Sequence, residues 1–416
     1  MNIPENGKVV IIDDEVEEGF PLVKALTKNS IPTIYFTGNL EELPKSPLKG
    51  IRIVFLDIVL GTDGQPAKTQ IASAAKIFKS IIDKNNGPYL LIAWTIHEEH
   101  INGIKVALND MPPSCFLNLE KSKCKDKDGN FNIKKIEKKI KGELKKVSAF
   151  HLFALWENLV HQASGEVVND FSALYQTDDQ WDKKISSVLF HLAKAYAGEK
   201  TKSMNNKEII RNALLSFNGA FIDTLENKIR NSILTKSKNM TLNQLTPEIT
   251  AKINRKLHLF VDKNIKNPEP GNVYRVTKDL GIRLDVNELF EQNKLATYPR
   301  RDELLLKIKY VFLEASPSCD YAQNNLRVHR CLSGVMWPHE HQDKIKKKAD
   351  FMYITPLLEI DGGLFKIVFN LRYLISIPIE LLKNKKAICK FRHDLLTDVQ
   401  SYIARHINRP GIISVS

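Results

Sequence analysis

The first third of the chain alternates short apolar runs with amphipathic stretches. Five runs rich in Val, Ile, Leu and Phe predict β-strands at residues 8–12, 33–36, 51–56, 89–94 and 115–119. Between them, residues 19–28 and 71–82 carry apolar side chains at helical spacing. Because uninterrupted apolar strands that alternate with helices are typical of a parallel sheet covered on both faces, we expect residues 1–145 to form a doubly wound α/β domain.

The apolar spacing changes to a helical one near residue 146. Three stretches between residues 150 and 233 place apolar side chains on one face, at intervals of three and four residues. Asn205, followed three residues later by Glu208, is typical of a capped helix start. We therefore expect residues 146–265 to form a helical domain.

β-like runs return after residue 266, and no long helical pattern separates them. These runs lie at residues 304–314, 351–354, 364–369 and 387–391. Strands joined by turns rather than by crossover helices pair antiparallel. Residues 266–416 are therefore expected to form a β-rich domain, a barrel or a sandwich, with a terminal helix at residues 394–406. The chain as a whole is predicted to be multidomain.

Polar side chains follow the predicted strands of the α/β domain at their carboxyl ends. Asp13 and Asp14 follow the first strand, Asp57 the third, Thr95 the fourth and Lys121 the fifth. In doubly wound sheets, ligands bind at this edge of the sheet. Three carboxylates in one crevice favour a divalent cation, and oxygen ligands suit Mg²⁺. In such a site a carboxylate can attack a phosphoryl donor, while a hydroxyl and an ammonium group hold the phosphoryl oxygens.

This set of residues resembles the receiver domain of two-component response regulators, which has the flavodoxin-like fold. The resemblance covers about the first third of the chain and includes the segment from Asp57 to Gly64. It implies that Asp57 accepts a phosphoryl group from a partner histidine kinase or kinase-like ATPase. It also implies that Thr95 is a switch hydroxyl and that Lys121 pairs with the phosphoryl group.

The same resemblance implies a magnesium ion in the receiver pocket. Its ligands would be the carboxylates of Asp13, Asp14 and Asp57 and the main-chain carbonyl of Val59. Receivers of this family often dimerise, so a homodimer is a further expectation. A receiver fold that has lost phosphorylation and serves only as an assembly scaffold is the alternative.

The chain departs from the receiver pattern at three places. Ser122 follows the expected lysine where the family usually has proline, and Lys123 is a second candidate for the cation. The segment from Asp57 to Gly64 is one residue shorter than in the family. The segment between Gly64 and the fourth strand is longer, which predicts an expanded helix or loop there.

The C-terminal segment leaves two other chemistries open. An effector enzyme can use Cys319 as a nucleophile beside Asp320. Cys331, His339 and His341 add zinc-type ligands, but the spacing differs from that of paired C-x₂₋₄-C or H-x₃₋₅-H motifs, so no zinc is expected. A tight turn with a buried cysteine is the simplest interpretation, and no enzymatic activity is expected beyond phosphoryl transfer at the receiver.

Residues 317–323, with the sequence PSCDYAQ, resemble C-terminal domains attached to receivers in bacterial conflict operons. This second resemblance implies a setting in antiphage defence. It assigns no chemistry to the C-terminal domain.

The charge of the chain bears on nucleic-acid binding. Lys and Arg exceed Asp and Glu by 61 − 48 = 13 over 416 residues, but residues 121–146 alone hold eleven Lys against four acidic residues. A local lysine run is typical of a solvated surface. Residues 241–256 loosely fit a helix-turn-helix without its central Gly, and Pro247 after Thr246 favours a plain helix start. DNA or RNA binding is therefore not the leading interpretation.

Composition excludes several other classes of protein. The chain is 43% hydrophobic and 26% charged, which is typical of folded globular proteins. No P-loop or dinucleotide-binding glycine motif is present. Without a signal-type start or a long uncharged apolar run, and with five scattered Cys, the sequence predicts a cytoplasmic protein with reduced thiols and no membrane partner.

Overall fold

The computed structural model describes residues 9–62, 64–95, 100–126, 131–144, 148–197, 205–232, 244–260, 268–276, 289, 291, 297–317, 320–321, 326–345 and 349–407. The chain divides into two compact units. The first unit comprises Met1–Ser187 with Phe217–Thr241, and the second comprises Val188–Ser216 with Leu242–Ser416. In the described part of the chain, no helix combines the length and the apolar character needed to cross a bilayer.

The first unit contains a five-stranded parallel sheet. Its strands are β1 (Val9–Ile12), β2 (Thr33–Phe36), β3 (Ile53–Leu56), β4 (Leu90–Ala93) and β5 (Cys115–Asn118). They are ordered β2-β1-β3-β4-β5, which is the flavodoxin-like order with its switch point between β1 and β3. The predicted doubly wound α/β sheet is therefore confirmed.

Helices cover both faces of this sheet, which explains why its central strands β1, β3 and β4 are apolar throughout. The helices are α1 (Val16–Lys28), α2 (Ala67–Ile81), α3 (Ile101–Ala107) and α4 (Ile133–Leu144). Leu22 of α1 and Ile136 of α4 pack with the odd-numbered residues of β1. Phe78 of α2 and Ile104 of α3 pack with the even-numbered residues, because successive strand side chains point to opposite faces. Between β2 and β3 the chain forms a 3₁₀ turn at Leu40–Glu42.

The helical middle of the chain is also confirmed. It consists of α5 (Ser148–Ser172), α6 (Trp181–Ala197) and α7 (Asn206–Asn231). In the first unit, α5 and α7 contact each other through the rings of Phe171 and Phe217, whose centroids are 4.7 Å apart. The Asn205 side chain accepts a hydrogen bond from the Glu208 amide, and the Glu208 carboxylate accepts one from the Asn205 amide, both at 3.1 Å. This is the predicted capping arrangement.

The second unit contains an antiparallel sheet of eight strands. Helix α8 (Pro247–His258) precedes the sheet and begins at Pro247 with Thr246 as its N-cap, as predicted. The strands are β6 (Leu259–Phe260), β7 (Asn272–Arg275), β8 (Lys309–Glu314), β9 (Val328–Pro338), β10 (Met352–Ile354), β11 (Leu358–Ile360), β12 (Gly363–Pro378) and β13 (Cys389–Phe391). The described strands run in the order β10-β12-β9-β8-β7-β13-β6, and β11 pairs with β12.

The antiparallel, β-rich character of this segment is confirmed, and several details differ from the expectation. The strands form one open, curled sheet rather than a closed barrel or a sandwich. β12 extends well beyond the predicted run at residues 364–369. β9 was not predicted, because polar residues interrupt its apolar positions even though most of the strand is buried.

The run predicted as one strand at residues 304–314 is a short helix followed by a strand. The helix, α9 (Arg301–Lys307), has Asp302 and Glu303 in its first turn and Lys307 in its last turn. These charges complement the helix dipole and favour a helix over a strand. Leu304 is buried while Leu306 is 88% exposed, so the apolar run is not uniformly buried as a core strand would be.

Helices lie on both faces of the antiparallel sheet as well. Two further helices in the described residues are α10 (Ile379–Leu382) and α11 (His393–Ile407), the latter matching the predicted terminal helix. Val399 of α11 packs on one face with Phe369. Leu304 packs on the other face with Trp337. The sheet is thus the core of the second unit.

Candidate functional site

Three carboxylates meet at the carboxyl edge of the parallel sheet. β1 and β3 pair in register, with Ile12 opposite Leu56, so Asp13 and Asp57 leave their strands at the same level. Oxygen atoms of Asp13, Asp14 and Asp57 lie within 4.8 Å of one another. Asp13 and Asp57 are buried, whereas Asp14 is partly exposed. The crevice thus opens to solvent on the Asp14 side.

Lys121 bridges the two buried carboxylates. Its Nζ lies 2.6 Å from Asp57 Oδ2 and 2.9 Å from Asp13 Oδ2, and the lysine is itself buried. Lys123, the second candidate for this role, instead forms an ion pair with Glu120 at the surface. The structure therefore places Lys121, and not Lys123, in the crevice.

Burial and neighbouring charges shift the pKa values of the crevice residues. Burial raises the pKa of Asp13 to about 6, although Lys121 opposes the shift. For Lys121, burial alone would lower the pKa, but the charges of Asp57 and Asp13 outweigh it and raise the pKa above its ordinary value. Burial and the two carboxylates at positions 13 and 14 raise the pKa of Tyr35 to about 12.

Main-chain amides fix the carboxylates in place. Asp57 Oδ1 accepts a hydrogen bond from the Val59 amide at 3.1 Å, and Asp14 Oδ2 accepts one from the Gly61 amide at 2.7 Å. Gly61 has a positive φ of 57°, a conformation that glycine adopts without steric cost. The turn after β3 is thereby tied to the acidic pair after β1.

The Val59 carbonyl, the predicted fourth metal ligand, is engaged within this turn. It accepts hydrogen bonds from the Thr62 amide at 2.8 Å and from the Thr62 hydroxyl at 2.5 Å. A carbonyl oxygen has two lone pairs. Val59 can therefore ligate a metal once the Thr62 hydroxyl turns away.

Thr95 lies two residues beyond β4 at the same edge of the sheet and is 1% exposed. Its neighbour Trp94 is fully buried and packs against the rings of Phe55 and Phe131, with centroid distances of 5.6 and 5.1 Å. The tryptophan therefore anchors the backbone next to the predicted switch hydroxyl.

Two residues of the crevice were not anticipated from the sequence. The Tyr35 hydroxyl donates a hydrogen bond to the Asp13 carbonyl at 2.5 Å, and the Thr62 hydroxyl holds the Val59 carbonyl. Tyr35 follows β1 by more than twenty residues and carried no motif. Asp63, part of the motif segment, lies outside the described residues.

The alternative chemistry considered around Cys319 is only partly within the described residues. Cys319 lies outside them, and Asp320 pairs with Arg330 at 3.9 Å. Cys331 is buried within β9, and burial together with the charge of Glu314 raises the pKa of its thiol. His341 lies instead beside two glutamates of the same unit.

The donor set of the receiver-like crevice fits a divalent cation. Three ionised carboxylates and the single ammonium of Lys121 leave a charge of −3 + 1 = −2 around one crevice. Carboxylate and carbonyl oxygens are the ligands that Mg²⁺ takes in proteins, usually with several waters. The exposed side at Asp14 leaves room for those waters.

No protein-family model matches this chain, and no curated protein is similar to it in sequence.

Proposed function

We propose that this protein is a signalling protein of the response-regulator type, in which Asp57 accepts a phosphoryl group from a phosphohistidine of a partner kinase. The observation that carries the proposal is the buried bridge of Lys121 between Asp57 and Asp13, with Asp14 beside it. One crevice then holds an acceptor carboxylate, a cation for the new phosphoryl oxygens and a metal-binding pair of carboxylates.

The proposed step is a transfer between two protein side chains. A carboxylate oxygen of Asp57 attacks the phosphorus, a P–O bond forms, and the P–N bond to the donor imidazole breaks. The imidazole leaves with the electron pair and takes up a proton. Lys121 then pairs with a phosphoryl oxygen, and the Thr95 hydroxyl donates to another.

Asp13, Asp14, Asp57 and the Val59 carbonyl would hold Mg²⁺ in this crevice. The bound ion offsets the excess negative charge while the anionic phosphoryl group approaches. The protein side chains supply the rest: main-chain amides orient the Asp57 and Asp14 carboxylates, and Lys121 neutralises the acceptor.

Phosphorylation of Asp57 replaces a carboxylate with one negative charge by an acyl phosphate with up to two, at a buried edge of the sheet. The ion pairs of Lys121 must rearrange in response, since its ammonium then has a phosphoryl group to contact. In this proposal the loops that carry Thr95 and Lys121 change conformation and alter how the chain binds a partner, which includes a second copy of itself.

Beryllofluoride, an analogue of the phosphoryl group, tests whether the crevice binds such a group. With Mg²⁺ it is expected to raise the melting temperature of the wild type by about 5 °C at a hundredfold excess over Kd. Asp57→Asn is expected to abolish the rise, and Asp110→Asn, a surface residue of the same unit paired with Lys79, is expected to retain it. No rise in the wild type would contradict the proposal and favour a phosphorylation-incompetent scaffold.

A further inference from the structure

A second cluster of potential metal ligands lies in the second unit, between α9 and the turn after β9. It consists of Glu303, Glu340 and His341, and one ligand atom from each lies within 4.8 Å of the others. Glu303 and Glu340 are 38% and 47% exposed, whereas the His341 side chain is completely buried. The cluster is therefore open to solvent on the carboxylate side and closed on the imidazole side.

The imidazole of His341 points its free nitrogen at the two carboxylates. Nε2 is buried and has no hydrogen-bond partner in the described part of the chain. It lies 3.9 Å from Glu303 Oε1 and 4.0 Å from Glu340 Oε1, which is too far for hydrogen bonds. A zinc–ligand bond is about 2.0–2.2 Å long, so two ligand atoms of one zinc ion can lie up to about 4.4 Å apart. Both distances are shorter than this limit, so one ion placed between the three atoms can contact all of them.

The other ring nitrogen of His341 is held in place by a tyrosine. Nδ1 lies 2.8 Å from the hydroxyl oxygen of Tyr298. When Nδ1 carries the proton and donates to that oxygen, Nε2 keeps its lone pair. Metal-binding histidines are oriented in this way by a partner on the second nitrogen. The Trp337 indole also donates to the His341 carbonyl at 3.0 Å, which fixes the backbone of this turn.

A cation already sits between the two carboxylates. Lys307 Nζ lies 2.7 Å from Glu303 Oε1 and 2.7 Å from Glu340 Oε1. The Lys307 side chain is 43% exposed, so it can turn into solvent without leaving an apolar pocket. Arg300 holds Glu303 through two hydrogen bonds at 2.7 and 2.9 Å and keeps that carboxylate oriented when the lysine moves.

We propose that Glu303, Glu340 and His341 form a binding site for a divalent transition-metal ion, Zn²⁺, which replaces the Lys307 ammonium between the two carboxylates. One imidazole nitrogen and two carboxylate oxygens match the ligand types of zinc sites that keep an open coordination position. The imidazole nitrogen favours zinc over Mg²⁺ or Ca²⁺, which prefer oxygen ligands only. This site differs from the cysteine-containing arrangement considered on sequence grounds, and it does not depend on the phosphorylation proposed for Asp57.

The test is a titration of metal-free full-length protein with Zn²⁺ in competition with a chromogenic chelator. Millimolar Mg²⁺ is present throughout to occupy the carboxylate crevice of the first unit. We expect one zinc ion bound at this site, and Glu340→Gln should weaken it by at least about tenfold. Glu340 is half exposed, so this variant keeps the buried core intact. Asp302→Asn, an exposed neighbour on α9, is the matched control and should bind zinc as the wild type does.

Lys307→Met gives the sharper result, because it distinguishes a metal site from a simple ion-pair network. If the cluster is a metal site, removing the competing ammonium should tighten zinc binding. If the cluster is only an ion-pair network, the substitution removes the ion pairs of Lys307 and does not tighten zinc binding. The absence of zinc binding, or binding that neither Glu340→Gln nor Lys307→Met changes, would overturn the proposal. So would thiolate-to-metal charge-transfer bands after loading with Co²⁺, since they would place the metal on cysteine instead.

Discussion

At the residue scale, Asp13 carries the least favourable charge of the crevice. It is fully buried, and its pKa of about 6 lies above the ordinary value of 3.8. Between these two values the folded protein binds a proton that the unfolded chain has released. Unfolding free energy attributable to this group is therefore highest below pH 4 and falls as the pH rises to about 6.

This shift predicts a pH-dependent difference between the wild type and Asp13→Asn. In EDTA, the stability of the wild type should fall relative to that of the variant by about 2 kcal/mol between pH 4 and pH 7. Urea denaturation at a series of pH values measures the difference. A difference that is constant across this range would mean that Asp13 keeps an ordinary pKa in the folded protein.

Lys121 is the only counter-charge that the described residues place against both buried carboxylates, at 2.9 Å from Asp13 and 2.6 Å from Asp57. Lys121→Met leaves the two carboxylates buried without their counter-charge. In EDTA we therefore expect the unfolding free energy to fall by about 3–5 kcal/mol. Mg²⁺ should restore part of the loss. Lys123→Met, a control two residues away whose ion pair with Glu120 is at the surface, should change stability by less than about 0.5 kcal/mol.

At the element scale, the turn after β3 controls access to the Val59 carbonyl. Thr62→Val removes the hydroxyl that donates to this carbonyl and keeps the volume of the side chain. If Val59 is a metal ligand, the freed lone pair should raise Mg²⁺ affinity by about 2- to 10-fold, since one hydrogen bond contributes about 0.5–1.5 kcal/mol. Calorimetric titration measures this change, and an unchanged or weaker affinity would exclude Val59 as a ligand.

An ion pair links helix α5 to the parallel sheet. Arg52 immediately precedes β3 and is 7% exposed. Its guanidinium donates hydrogen bonds to both carboxylate oxygens of Glu157, at 2.9 and 2.6 Å. Glu157→Gln should cost about 1–3 kcal/mol in urea denaturation, because a buried guanidinium loses its charged partner. Glu166→Gln, on the same helix but in a surface pair with Lys228, should cost no more than about 1 kcal/mol. Equal losses would show that the Arg52 pair does not anchor the helix.

The elements differ in how far the sequence predicts them, and the reason is physical. Strands β1, β3 and β4 are buried on both faces, so every residue is apolar and the run stands out. β9 carries His, Arg, Ser and Gly between its apolar residues, and its neighbours β8 and β12 supply the pairing that makes it a strand. Such pairing depends on residues distant in the chain and has no local pattern.

The same distinction applies to the two candidate sites. The Asp13, Asp57 and Lys121 cluster was predictable, because each residue follows a strand of one parallel sheet and such strands end at the same edge. The cluster of Glu303 and His341 was not, because it joins a helix to a turn that is distant from it in the chain. No spacing rule links residues in that way.

At the scale of the whole molecule, the net charge of +13 is unevenly distributed along the chain, because residues 121–146 hold eleven Lys against four acidic residues. Helix α4 turns Ile136 and Ile140 into the core and leaves Lys134, Lys135 and Lys138 exposed. Part of the lysine excess is thus the solvent face of a core helix. It adds no argument for nucleic-acid binding beyond electrostatic attraction.

The central claim for the molecule is that Asp57 becomes covalently phosphorylated. The most direct measurement is mass spectrometry of the full-length protein after incubation with phosphoramidate, a small donor with a P–N bond, and Mg²⁺. The account predicts one added phosphoryl group that maps to Asp57, is released by hydroxylamine as an acyl phosphate would be, and is absent from Asp57→Asn. An unmodified wild type, or a phosphoryl group on another residue that persists in Asp57→Asn, would contradict it.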